Sequence, residues 1–265
     1  VFDQNNLIFF DNKGSILKFD HFSKLIWKKN YYNKGEKKLK PALNMAIHKN
    51  YLIVTDNLAK YYAIDINSGK LLWMKGNIAP FNSQIKVYKE NFFVTDFQNI
   101  LRRFSIKNGK EVWNIKTDNA FVKSQKKLSL IVSDGKVYFN NSIGDISAVD
   151  VDSGKLVWQT PTQDSSIYES SFQLKTSDLV LVDKSILFSN NLNEFYSLDA
   201  KTGTLIWQQK INSTVRPIIV NNFIFTVTEE GFLVVLESKT GSIIRSTNVF
   251  ERIKDKKRPN IKPIG

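Results

Sequence analysis

Val149-Asp150-Val151-Asp152-Ser153-Gly154-Lys155-Leu156-Val157-Trp158 decides the fold, because it recurs. Ile64-Asp65-Ile66-Asn67-Ser68-Gly69-Lys70-Leu71-Leu72-Trp73 precedes it, and Leu198-Asp199-Ala200-Lys201-Thr202-Gly203-Thr204-Leu205-Ile206-Trp207 follows it. Two weaker copies end at Trp27 and Trp113, and a sixth carries Gly241 but has Arg245 where tryptophan is expected. Successive tryptophans lie 46, 40, 45 and 49 residues apart. Self-similarity at this period marks a propeller or a solenoid rather than a single packed core.

Working outward from the anchor, each copy resolves into four short strands. The first is apolar, as in 217–220, and ends at a polar turn such as Lys49-Asn50 or Asn221-Asn222. The second is strongly apolar: Leu52-Ile53-Val54, Phe92-Phe93-Val94, Val137-Tyr138-Phe139, Ile186-Leu187-Phe188, Phe223-Ile224-Phe225. The third closes on Asp20, Asp65, Ser105, Asp150, Asp199 or Glu237. Asp and Ser side chains start turns by accepting from backbone donors two or three residues on. Glycine follows in five copies, at Gly69, Gly109, Gly154, Gly203 and Gly241, where it supplies the positive φ that reverses the chain. The fourth strand ends at Trp27, Trp73, Trp113, Trp158 and Trp207. The first copy is one residue shorter and lacks the glycine, and imperfect copies at both ends suit terminal repeats.

Leu101, Arg103 and Ser105 alternate with Arg102, Phe104 and Ile106, a period of two that excludes helical repeats. Four short strands cannot bury both faces alone and must stack on neighbours. The expected fold is an all-β propeller of four-stranded antiparallel blades, one domain over 1–265. Blades fall near 1–30, 41–76, 84–116, 128–160, 178–211 and 215–249. Residues 261–265 resemble 215–219 and are expected to begin a further blade of a seven- or eight-bladed ring. Closure of the first blade by that strand, giving six blades, is the other reading.

The 265 residues contain no cysteine, which excludes disulfides, thiolate metal sites and a thiol nucleophile. No apolar run is long enough to span a bilayer. Val1-Phe2-Asp3-Gln4 does not read as a signal peptide, so any lipid-anchoring cysteine is expected outside this chain. The net charge of +13 is spread over lysines in turns, and no nucleic-acid motif accompanies it. No nucleic-acid partner is expected.

Small-x-Asp-x-x-(Ser/Thr)-Gly-Lys-x-x-Trp, met best at 148–158 and 197–207, resembles the PQQ-like (quinoprotein) propeller repeat family. The resemblance runs from about residue 6 to 249. It implies that each tryptophan packs against a neighbouring blade's turn. Enzymes of the family hold PQQ and calcium on the propeller axis, with a vicinal cysteine pair over the quinone and a tryptophan beneath it. This chain has no cysteine, and its tryptophans all sit at repeat positions. The resemblance therefore implies the family's scaffold branch, which assists barrel assembly on the periplasmic face of the bacterial outer membrane. Its partner there is the barrel-inserting subunit, bound through connector loops, and no cofactor is expected. The alternatives are a PQQ- and calcium-dependent dehydrogenase-like enzyme and an envelope propeller that binds a sugar or peptide.

What does not repeat is where function is sought. The basic connector 28–40 carries Tyr31 and Tyr32, and 160–177 is the longest connector, with Asp164, Tyr168 and Glu169. Phe121 precedes the basic stretch 123–127, and 251–262 is a basic crossing. Tyr31, Tyr32, Arg102, Arg103, Phe121 and Tyr168 are the candidate partner contacts. No catalytic motif appears, His21 and His48 are far apart in sequence, and Asp65, Asp150 and Asp199 are copies of one turn rather than an acid–base pair.

Overall fold

The computed structural model describes residues 1–117, 127–162 and 174–251. The chain divides into two compact units, 1–117 and 118–265. In the first unit, β1 (Phe2–Asp3), β2 (Asn6–Phe10), β3 (Ile16–Phe19) and β4 (Leu25–Lys29) form the first sheet. The second holds β5 (Leu43–His48), β6 (Tyr51–Asp56), β7 (Lys60–Asp65) and β8 (Leu71–Gly76). The third holds β9 (Lys86–Tyr88), β10 (Asn91–Thr95), β11 (Ile100–Ser105) and β12 (Glu111–Lys116).

The second unit repeats the plan. Its sheets are β13 (Leu130–Ser133) to β16 (Leu156–Thr160), by way of β14 (Lys136–Asn140) and β15 (Ile146–Asp150). Next come β17 (Val180–Val182), β18 (Ser185–Asn190), β19 (Glu194–Asp199) and β20 (Leu205–Gln209). The last sheet holds β21 (Ile218–Val220), β22 (Phe223–Val227), β23 (Phe232–Glu237) and β24 (Ile243–Asn248). Among the described residues these are six four-stranded antiparallel sheets, each paired in chain order. The all-β class with four-stranded antiparallel blades expected from the repeats is thus the one observed. Residues 261–265, expected to begin a further blade, lie outside the described residues.

Alternation along the strands explains how the sheets stack. In the second sheet Ile53 pairs with Ala63 and Ala63 with Trp73, which puts them on one face. Leu52, Val54, Tyr62 and Ile64 lie on the other. The latter four pack with Ile8, Ile16 and Trp27 of the first sheet. Ile53 and Trp73 pack instead with Phe92, Val94 and Phe104 of the third. Both faces are dry, so the middle strands read as continuous apolar runs. In the second unit Trp158 and Ile146 meet Ile186, Phe188 and Leu198, and Trp207 and Leu187 meet Ile224 and Leu236.

The third-to-fourth-strand turn is built alike in every sheet. A register shift, a β-bulge, falls at Lys18/Phe19, Ala63/Ile64, Arg103/Phe104, Ala148/Val149, Ser197/Leu198 and Val235/Leu236. Such a bulge re-aims the strand end. The Asp65 carboxylate then accepts from the Ser68 amide at 2.8 Å and the Ser68 hydroxyl at 2.7 Å. Asp150 and Asp199 hold Ser153 and Thr202 in the same way. The five turn glycines have φ between +62° and +74°. In the shorter first copy Ser23 takes the positive φ, +62°.

The glycine answers a second demand. Trp27 Nε1 donates to Ile66 O at 3.1 Å, Trp73 to Ile106 O at 2.9 Å, Trp158 to Ala200 O at 3.2 Å and Trp207 to Ser238 O at 3.0 Å. Each bond lays the indole across the next sheet's turn. A Cβ at Gly69, Gly109, Gly203 or Gly241 would come within 2.5–3.0 Å of that ring. Gly135 also has a positive φ, +71°, but a Cβ there meets nothing within 4 Å. Gly135→Ala should therefore cost only the backbone strain, about 1–2 kcal/mol. Gly203→Ala should add overpacking of about 1–3 kcal/mol. Urea unfolding of the two variants checks this, and equal losses would sink the indole-contact argument.

Candidate interaction surface

In an up-and-down sheet, the turn between strands two and three lies at the same end as the connector leaving strand four. In the first sheet that end carries the start of the non-repeating connector 28–40. The short turns between second and third strands are nonetheless built on one plan. Asp11 accepts from the amides of Lys13 and Ser15, Asp56 from Leu58 and Lys60, and Asp96 from Gln98 and Ile100. Asn141 holds Ile143 and Asp145, and Asn190 holds Leu192. The signal is present as Asp or Asn at or just after the end of the second strand in five of the six sheets, a position favourable for Asx turns, and Thr228 stands there in the sixth.

The connector after β4 is anchored to these turns. Asn30 Nδ2 donates to Lys13 O and Ser15 Oγ, both at 3.0 Å, and Asn30 Oδ1 accepts from the Tyr32 amide. The Tyr32 ring lies over Gly14, where a Cβ would stand 2.7 Å from it. The Tyr32 hydroxyl donates to the Asp56 carboxylate and lies 3.5 Å from the Tyr62 hydroxyl. The Tyr31 hydroxyl donates to Gly69 O, and its ring meets Tyr62 edge-on. The carbonyls of Gly109 and Gly203 are taken similarly by Tyr61 OH and Thr160 Oγ1.

A one-turn helix follows, α1 (Lys34–Lys38), closed by a capping box in which Asn33 and Glu36 hold each other's amides. Lys60 bridges to Glu36 at 2.5 Å and sits 5.3 Å above the Tyr32 ring. This helix departs from the loop expected over 28–40. Its cause is local, since Asn-x-x-Glu satisfies two free amides at a helix start.

The expected contact residues are therefore distributed differently. Tyr32 is 4% exposed and Arg102 6% exposed, so neither offers a side chain to a partner. Arg102 instead joins Asp96 at 2.9 Å and Glu111 at 2.6 Å, which makes it a strut of the third sheet. Tyr31 is half-buried, and Arg103 sits half-buried in β11 between Phe93 and Trp113. Trp113 packs on Phe93 with ring centroids 5.8 Å apart. Phe121 and Tyr168, with Asp164 and Glu169, lie outside the described residues, as do 118–126 and most of the basic crossing after residue 251. The His21 ring meets Phe22 at a tilt of 42°, while His48 and Lys49 meet Glu90.

No group of three or more His, Cys, Asp or Glu among the described residues could hold a metal ion. Trp27, Trp73, Trp158 and Trp207 are committed to carbonyls of neighbouring turns, leaving none of them to lie beneath a quinone. The described donor set does not fit PQQ with calcium. No described helix is long and apolar enough to cross a membrane.

Burial raises the Asp56 carboxyl above the ordinary carboxylate range, opposed by hydrogen bonds from Tyr32 and the amides of Lys60 and Leu58. Asp65, Asp150 and Asp199 are lowered, chiefly by hydrogen bonds from Ser68, Ser153 and Thr202. The two kinds act oppositely. A lowered carboxyl stabilises the fold above its unfolded pKa. A raised one stabilises it below the unfolded pKa, and this is lost as pH rises through the folded value. Asp56→Asn keeps an oxygen for the turn and removes the ionisation. The stability of the unsubstituted chain should thus fall relative to Asp56→Asn as pH rises above the unfolded carboxyl pKa of about 4. Urea midpoints followed through that rise test this, and a gap moving the other way would overturn it. Tyr32→Phe, which removes a bond to a buried carboxylate, should cost about 1–3 kcal/mol.

The chain resembles BamB from Moraxella catarrhalis with a TM-score of 0.75 at 14% identity, over 93% of this chain and 74% of that one. It resembles the computationally designed Ika8 protein with a TM-score of 0.61 at 14% identity, over 94% and 85%. Quinohemoprotein alcohol dehydrogenase from Comamonas testosteroni matches with a TM-score of 0.56 at 16% identity, over 77% of this chain and 42% of the enzyme. At these identities the likeness is one of fold, and it assigns the six sheets to the β-propeller class. No curated protein matches the chain. Residues 12–247 match the family described as outer membrane protein assembly factor BamB. With most of its length matched, the chain belongs to the BamB family.

Proposed function

We infer that the chain is a non-enzymatic scaffold that assists outer-membrane barrel assembly. Its six sheets serve as blades of one propeller, and its connectors meet the barrel-inserting subunit on the periplasmic side. The observation that carries this is the family match over 12–247. The commitment of the repeated residues to turns and docking supports it, because it leaves the connectors as the variable surface. A membrane contact would come only through an anchor outside this chain.

The second reading, a PQQ- and calcium-dependent dehydrogenase, is favoured by the fold likeness to the quinohemoprotein enzyme. The absence of cysteine and the commitment of four tryptophans to neighbouring carbonyls weigh against it. Two measurements separate the readings. The immobilised chain should retain purified barrel-inserting subunit, and failure to do so would sink the scaffold assignment. Incubation with PQQ and calcium should leave no quinone absorbance after gel filtration. One quinone per chain would overturn the non-enzymatic reading.

A further inference from the structure

The connector after the first sheet is lysine-rich, yet it is held by more contacts than a solvated loop needs. Tyr31 binds Gly69 O, Tyr32 binds Asp56 and covers Gly14, Asn30 binds two residues of a turn, and Glu36 binds Lys60. The side chains that look adhesive in sequence, the two tyrosines, point into the scaffold. Lys34, Lys38, Leu39 and Lys40 are displayed outward, with Leu39 63% exposed. Lys37 lies half-buried beside them. Glu36 is the one carboxylate of the segment, and Lys60 already neutralises it. Among the described residues no ion pair engages Lys34, Lys37, Lys38 or Lys40.

We propose that this anchored turn, Lys34 to Lys40, is a preformed docking surface for an acidic protein segment, with Leu39 entering an apolar notch between the partner's carboxylates. The anchoring supplies the physical reason. Ordering a lysine-rich loop on binding costs conformational entropy, and a loop already ordered by buried contacts avoids that loss. Four cations and one large apolar side chain match a partner that carries carboxylates around an apolar site. A membrane surface fits less well. The helix is a single turn with no buried residues and no apolar face, whereas interfacial helices embed a broad apolar stripe. The proposal deepens the scaffold reading and rests on it only for the partner's identity.

The test uses the full chain and a fluorescent synthetic peptide of Asp and Glu with a central leucine. Fluorescence polarisation should show binding that weakens with added salt. Lys34→Gln/Lys38→Gln/Lys40→Gln should weaken it about tenfold, and Leu39→Ser by a similar factor. Lys70→Gln/Lys155→Gln/Lys239→Gln removes the same charge from other exposed turns and should leave affinity unchanged. Equal losses in the two triple variants would mean that overall charge does the binding, and would overturn the proposal. So would a connector variant that loses only its affinity for phosphatidylglycerol vesicles. The scaffold reading is separable. If the barrel-inserting subunit binds the connector variant as tightly as the unsubstituted chain, this surface falls and the reading stands. If that subunit binds neither protein while peptide binding still needs the connector lysines, the reading falls and the surface stands.

Discussion

An indole laid across a glycine turn is the contact on which the stacking of these sheets depends. The glycine takes a positive φ, its missing side chain admits the ring, and the indole N–H reaches a carbonyl three residues earlier in the same turn. At Gly69, Gly109 and Gly203 a hydroxyl from the preceding sheet or its connector also caps the glycine carbonyl. One residue pair thus excludes water from a sheet edge and sets how the next sheet lies against it. Each sheet needs such a neighbour because both its faces are apolar.

The exceptions follow the same logic. The first sheet has Ser23 in place of the turn glycine, and the sixth has Arg245 in place of tryptophan. These sheets also carry open apolar faces. Leu7 and Phe9 are 38% and 41% exposed, whereas Leu52 and Val54 at the corresponding places in the second sheet are fully buried. On the sixth sheet Ile218 and Phe223 are likewise exposed. Glycine is retained where an indole rests on it and is absent where the first sheet's face is open.

At the connector end the division of labour differs. Asx turns repeat there as faithfully as the glycine turns, but the segments anchored to them do not. Tyr32 fills the space over Gly14 much as a tryptophan fills the space over Gly69. A docking principle is thereby reused to pin a variable segment to a constant frame. The buried anchors and the displayed lysines are different residues of one short stretch, so what holds the segment is separate from what it shows to solvent.

The strands, their order and the hairpin glycines could be read from the chain, because each depends on residues close in sequence and each is written several times over. The docking of the tryptophans was implied only by the family resemblance, since each indole reaches a carbonyl 31–42 residues further on. An Asp starting a turn and a glycine at positive φ answer to local geometry, and repetition raises such signals above chance. The capping box at Asn33 and Glu36 is equally local but occurs once, so no repetition raises it above the basic connector around it. What only the tertiary structure decided is which polar and aromatic side chains face inward. Tyr32 is buried because Asp56 and Tyr62, on the next sheet, receive its hydroxyl. Arg102 is buried because Asp96, in the turn after β10, and Glu111, on the adjoining β12, close around it. In sequence both look like adhesive surface residues. Their fate depends on partners brought near by stacking and pairing, and the energy of burying a charge or a hydroxyl is set by those partners rather than by the residue itself.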